Sequence, residues 1–479
     1  MSAAKPLMNA PRRNGPPMKS FSSKPASARP KKPSSASRPS TAKSDAMQAN
    51  AQVTIPDRSS RFCRGVRMKK WHAPDFTRLL GMPISKLGTF RATISGFCLI
   101  AIGLCFTRWA YTPLVPPMID GGWVDKSEAG YLGGFNSFGY MIGCVIAIRG
   151  TRWCSPRGLM RISILVAVLS VAMGIRDLGF TWLAVARLAS GIAGAVCIIH
   201  APATMLRHVD SERRGFCSGV AFAGAGVMIV VTSLLLPLVL DHGASAGWML
   251  ETGLTLLMAW LAWPLVSTAS TETVGPAKDD RPEPLDAERR GVLRLLSTAY
   301  VLAAIGVTPH TLFLADYLHR DLGVGIAGSS SLFAVLGAGC AVGSLTSGLA
   351  SAWIGTRSKL IVAYLFGVIA VLMVLVFESV AMVTASAFLM GVFVLQCVPL
   401  TSIRTLEIVG LERHASFWGL MAISFGGGLV VAAYGMSGML ELGFRYIDLF
   451  LVAEVTLVVG LGLVGRSWFR RMESFDSGT

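Results

Sequence analysis

From Thr89 onward the chain alternates apolar runs of bilayer-spanning length with short polar breaks. A spanning helix needs about 20 apolar residues. Twelve such runs are predicted, at 94–118, 128–148, 160–175, 179–205, 216–240, 247–268, 295–317, 328–352, 360–377, 380–403, 416–438 and 447–465. The longest internal break, residues 271–290 (TETVGPAKDDRPEPLDAERR), holds three prolines and mixed charge. It reads as a linker between two halves. Five short patterns recur in order at offsets of 200 to 205 residues: Ala101-Ile102-Gly103 as Ala304-Ile305-Gly306, Gly139-x3-Gly143 as Gly339-x3-Gly343, Gly150-Thr151-Arg152 as Gly355-Thr356-Arg357, Glu212-Arg213-x5-Gly219 as Glu412-Arg413-x5-Gly419, and Glu251 as Glu454. Their common order and spacing point to an internal repeat.

Composition supports a membrane body. Of 479 residues, 52% are hydrophobic and 15% charged, against about 25% charged in an average soluble domain. The net charge of +17 would by itself suggest nucleic acid, but its position argues otherwise. Residues 1–92 hold 19 basic and three acidic side chains, and the remaining 387 hold 25 and 24. No nucleic-acid partner is therefore expected. The predicted inner loops and C-terminus carry 19 Lys/Arg, and the outer loops only Lys126, Arg176, Arg320 and Arg445. The positive-inside rule then places both termini in the cytoplasm of an inner or plasma membrane.

The expected organisation is a disordered basic tail over 1–88, a six-helix half over 89–268, a cytoplasmic linker over 269–293, a second half over 294–466 and a short tail over 467–479. The first tail has the composition of an organellar transit segment and could also contact anionic lipids. Translation starting at Met68 or Met82 would leave a shorter lead.

Six helices plus six, with a cytoplasmic hinge, is the build of transporters whose halves rock about a midplane site. The residues Phe106-Thr107-Arg108-Trp109-Ala110-Tyr111-Thr112-Pro113-Leu114-Val115-Pro116, with Glu128-Ala129-Gly130-Tyr131-Leu132 and Asn136-x2-Gly139-Tyr140-x2-Gly143, resemble the first two helices of the YbfB/YjiJ-type branch of the major facilitator superfamily. Arg187-x3-Gly191-x2-Gly194 resembles that superfamily's fourth-helix Arg motif, and Ser211-Glu212-Arg213-Arg214-Gly215 the loop after it. The likeness extends over residues 90–465. It implies an all-α membrane protein, a monomer among lipids, that moves a small organic solute by secondary transport. Residues 149–161 lack the usual Gly-x3-Asp-Arg-x-Gly-Arg-Arg form, and helix five lacks the Gly-Pro pair of drug antiporters. A sugar or drug efflux permease is the alternative reading.

With the loop and tail residues set aside, Arg108 and Arg187 are the two basic side chains left inside predicted spans. Such charges cost about 2.5 to 3.5 kcal/mol on insertion scales and mark a pathway or a partner. Counted at 1.5 Å per residue, both fall in the central-to-outer part of the membrane. In the major facilitator fold helices one, four, seven and ten line the cavity. Together the two arginines would form a cationic pocket for an anionic or carboxylate-bearing substrate, or else brace helices by bonding carbonyls. Tyr111 shares a helix face with Arg108, and Asn136 offers an amide in helix two, as ligand contacts or packing groups. His310 and Asp316 in helix seven are candidates for proton coupling, and His310 and Gln396 for substrate contact. Glu251 and Glu454 lie on helices peripheral in this fold and are expected to pair within the bundle or sit protonated. Trp109, Trp123, Trp182, Trp248, Trp353 and Trp468 near span ends read as interfacial anchors.

Enzyme classes find little in the sequence. Gly435-Met436-Ser437-Gly438 matches the short motif of rhomboid-like intramembrane proteases, yet no His follows His414 to act as base. There is no phosphate-binding G-x4-G-K-[ST] loop and no H-E-x-x-H. The nine cysteines are scattered without a C-x-x-C pair, so no metal, cofactor or disulfide framework is expected.

Overall fold

The computed structural model describes residues 87–271, 285–349 and 355–469. Most of the expected tails and linker, and Trp353, lie outside the described residues, as does the Trp468 side chain. Among the described residues twelve helices are long and apolar enough to cross a membrane: α1 (Thr89–Phe106), α2 (Lys126–Arg152), α3 (Pro156–Met173), α4 (Phe180–His208), α5 (Arg214–Leu240), α6 (Ala244–Thr268), α7 (Ala287–Arg320), α8 (Ile326–Ser347), α9 (Thr356–Val376), α10 (Val380–Val409), α11 (Ser416–Glu441) and α12 (Tyr446–Ser467). Local chemistry sets several of their starts. Asp125 accepts from the Glu128 N–H while the Glu128 carboxylate accepts from the Asp125 N–H, closing a capping box ahead of α2. Ser155 caps α3 with Pro156 as its first residue, and Asp286 caps α7 by accepting from the Arg289 N–H.

Small residues let helices meet at backbone distance. A Cβ at Gly191 of α4 would overlap the Asn136 carbonyl of α2, and one at Gly139 would overlap the Leu188 carbonyl. Two hundred residues later Gly391 of α10 meets the Leu336 carbonyl of α8 in the same way, and Gly339 the Phe388 carbonyl. Between the first six helices and the last six, the most extensive packing is α5 on α8 and α2 on α11.

Helix one is not the continuous span 94–118 that hydropathy predicts. It widens into a π turn at Ala101–Phe106, breaks at Arg108 (φ −136°, ψ −65°), and resumes as a 3-10 segment, Trp109–Leu114, and a short helix, Val115–Asp120. Pro113 lies inside the 3-10 segment, where it can neither donate to the ladder nor tolerate the carbonyl four residues earlier. A second π turn, Pro309–Phe313, interrupts α7 at a proline. Apolar periodicity cannot register either feature, because every residue of the first π turn is buried whatever its winding.

The tryptophans divide. Trp182 is partly exposed and donates to the Met173 carbonyl at 2.8 Å, but Trp109 and Trp248 are buried core residues rather than interfacial anchors. Both indole nitrogens lack an acceptor.

Candidate functional site

The break in helix one creates the polar centre of the molecule. Carbonyls beside a break lose regular helical donors and need others. Asn136 of α2 donates its Nδ2 to the Thr107 carbonyl at 2.7 Å, and also to Ser190 Oγ (2.8 Å) and the Arg187 carbonyl (3.2 Å). Arg187 of α4 donates Nη1 to the Thr107 carbonyl (3.3 Å) and Nη2 to the Arg108 carbonyl (3.4 Å). Its guanidinium lies 4.2 Å from the centre of the Tyr111 ring, a cation–π contact. The Tyr111 hydroxyl donates to the Ala129 carbonyl at 2.9 Å. Arg187 is thus enclosed by backbone and aromatic surface, with Nε buried and unpartnered.

Arg108 is placed differently. Its side chain is half-buried, 5.8 Å from the Tyr140 ring centre, and meets no carboxylate within ion-pair distance among the described residues. It lines a small cavity with Trp109, Gly133, Asn136, Ser137, Arg187, Thr308, Thr311, Leu312, Leu429 and Ala433. Five helical elements contribute: the helix-one break, α2, α4, α7 and α11. A second small cavity, lined largely by apolar side chains including Tyr111 and Trp248, lies within the first six helices and shares Arg187.

Of the residues singled out in the sequence, Arg108, Asn136 and Arg187 therefore converge on one cavity. Tyr111 buttresses Arg187 from the other side. His310 and Gln396 do not line this cavity. His310 is fully buried; its Nε2 meets Ser386 Oγ of α10 at 2.9 Å, its ring stands edge-on to Phe450 of α12, and its Nδ1 has no partner. Gln396 donates to Thr346 Oγ1 of α8 at 2.9 Å. Ser137, Thr308 and Thr311, which no sequence pattern singles out, do line it. A small hydroxyl on a buried helix carries no distinctive sequence signal; Thr308 and Thr311 could have been found only through their place beside the Pro309 turn.

Asp316 joins a network at one end of the bundle. Arg320 Nε reaches both of its oxygens (3.0 and 3.1 Å) and the Tyr446 hydroxyl donates to it at 2.5 Å. Arg320 Nη2 also reaches Asp120 at 2.6 Å, and His319 Nε2 meets the same carboxylate at 3.0 Å. Nearby, Thr112 Oγ1 donates to the Thr311 carbonyl, Ser330 Oγ to the Pro113 carbonyl, and the Tyr131 hydroxyl to Glu441 at 2.6 Å. All of these except the Asp316 contacts join the first six helices to the last six. Asp120 lies outside the spans. Partial burial pushes its carboxyl up, but the hydrogen bonds and charges of Arg320 and His319 outweigh this and hold it below the usual carboxylate range.

Glu251 of α6 is 1% exposed with neither carboxyl oxygen partnered, so the expected pairing within the bundle is not present. The Ser437 hydroxyl donates to the Ala433 carbonyl of its own helix at 2.6 Å.

Residues 100–465 match the family model described as "Uncharacterised MFS-type transporter YbfB". None of the curated proteins compared matches significantly in sequence. Among solved structures, a crystal structure of a point mutant of the nucleoside transporter NupG superposes with a TM-score of 0.58 at 10% identity, covering 80% of this chain and 100% of that one. At that identity the likeness concerns the fold alone.

Proposed function

The chain belongs to the YbfB-type family of MFS transporters, and from that premise we propose that it is a secondary active transporter of a small organic anion, working by alternating access between two six-helix halves in the inner or plasma membrane. The observation that carries the anion reading is Arg108: a guanidinium on the wall of a cavity between the halves, without a protein carboxylate among the described residues to neutralise it. An intramembrane cation so placed is stabilised by a ligand carboxylate, which its planar fork can bind bidentately.

The repeated Gly contacts of α2 on α4 and α8 on α10, and the π turns in α1 and α7, support reading 89–268 and 294–466 as two copies of one unit. The excess of basic residues in alternate loops supports cytoplasmic termini. On that orientation the Asp120–Arg320 network closes the outer end, and transport requires it to open. A monomer suffices, since the cavity is built within one chain. For proton coupling Asp316 takes first place, because its carboxylate sits where the ends of α7 and α12 meet. His310, enclosed by α10 and α12, takes second.

The test is uptake in proteoliposomes. A small carboxylate should enter saturably, driven by an imposed gradient, and Arg108→Gln should cut uptake at least tenfold in a folded protein. Undiminished uptake by Arg108→Gln would remove the anion reading, and carboxylate flux that rises linearly without saturation would remove the transporter mechanism.

A further inference from the structure

The cavity has an unequal inventory of hydrogen-bonding groups. A hydroxyl has one proton and two lone pairs. Ser137 Oγ gives its proton to the Gly133 carbonyl (3.0 Å), Thr308 Oγ1 to the Ala304 carbonyl (2.9 Å) and Thr311 Oγ1 to the Val307 carbonyl (2.9 Å). Toward a ligand, each has only acceptor capacity left. Asn136 is similar: its amide nitrogen is committed to Thr107 and Ser190, which leaves Oδ1 to accept. Arg187 gives one Nη1 and one Nη2 proton to backbone carbonyls and lies on the Tyr111 ring, and its Nε is buried. The donors left at the wall are the Arg108 guanidinium and the Arg187 Nη protons that the two carbonyls do not take. Among the described residues no carboxylate lines the cavity.

We infer that the cavity selects a hydroxylated monocarboxylate of the sugar-acid type. The inference rests on the anion reading above and specifies its substrate. One carboxylate meets Arg108, and the hydroxyls of the ligand donate to Asn136, Ser137, Thr308 and Thr311. A dicarboxylate brings a second charge for which the other cation, Arg187, is buried and already held by two carbonyls and the Tyr111 ring. An ammonium group meets only neutral oxygens. A neutral sugar leaves Arg108 unmatched, and an unsubstituted fatty acid leaves four acceptors without donors, which is costly once water is displaced. The acceptors come from both halves, Asn136 and Ser137 on α2 and Thr308 and Thr311 on α7, so this ligand ties the halves together, whereas an anion held at Arg108 alone touches one. Only a ligand that interacts differently with the two arrangements of the halves can shift their equilibrium.

The test uses the purified full-length protein and its thermal stabilisation by four probes: gluconate, hexanoate, glucarate and glucose. Gluconate should bind at least tenfold more tightly than each of the others. Thr308→Val and, independently, Ser137→Ala should narrow the gluconate preference over hexanoate several-fold, weakening gluconate and strengthening hexanoate. Arg108→Gln should abolish binding of both monocarboxylates. Hexanoate or glucarate binding as tightly as gluconate, or a preference untouched by both hydroxyl variants, would overturn the sugar-acid inference and leave the anion reading in place. Tightest binding by glucose, unaffected by Arg108→Gln, would overturn both, as would no stabilisation by any carboxylate.

Discussion

Arg108 and Arg187 approach the same cavity from neighbouring helices, and their hydrogen bonds separate their roles. Arg187 bonds the two carbonyls at the helix-one break and lies on Tyr111, so its loss leaves buried acceptors unsatisfied. Arg187→Gln should destabilise the ligand-free protein by about 1–3 kcal/mol, measured as a lower melting temperature in detergent. Arg108→Gln should leave that temperature unchanged and remove only the shift caused by a bound anion; an equal drop for both variants would show that Arg108 is also a brace. Glu251 gives a third case. With both oxygens buried and unpartnered, it contributes nothing through hydrogen bonding, and apolar replacement of such a group is often neutral or stabilising. Glu251→Leu should therefore melt no lower than wild type. Sequence singles out both arginines and Asn136, yet it cannot distinguish a guanidinium bonded to carbonyls from one facing a cavity, because that depends on where helix one breaks.

The helix pairs show which regularities depend on local pattern and which on contact. The recurring Gly139 and Gly339 are visible as spacing, and the structure gives the reason: each admits a partner carbonyl where a methyl would overlap. Gly191→Val and Gly391→Val should each lower the yield of monodisperse protein in size-exclusion chromatography, with overpacking costs of about 1–3 kcal/mol or more. Gly253 on α6, where an added methyl would have nothing within 4 Å, is the control. Gly253→Ala should gain about 0.5–1 kcal/mol from helix propensity. The π turns in α1 and α7 belong to the other class. Pro113 and Pro309 hint at irregularity, but the donors that reach the chain beside them, Asn136 and Arg187 at the Thr107 carbonyl and Thr112 at the Thr311 carbonyl, come from other elements.

Across the whole molecule, the Asp120–Arg320–His319 cluster, flanked by Asp316 and Tyr446, joins the two halves at one end. In the proposed alternating-access cycle, opening breaks it. Because Asp120 is held below the usual carboxylate range in the closed form, its contribution to closure is fully present above the ordinary carboxylate pKa. It is lost as pH falls through the lowered value. Asp120→Asn should mimic acid pH, speeding the reaction of a Leu312→Cys reporter with an impermeant thiol reagent. Equal labelling with and without Asp120, at neutral and acid pH, would show that the cluster does not restrain opening. Sequence alone determined the twelve apolar spans and the family, because bilayer length and hydropathy are summed along the chain. Only the tertiary structure decided that helix one breaks at Arg108, that Arg187 is enclosed while Arg108 faces a cavity, that His310 and Gln396 point elsewhere, and that Thr308 and Thr311 join the wall. Those outcomes depend on which donor from another helix reaches each freed carbonyl, and that pairing has no trace in local sequence.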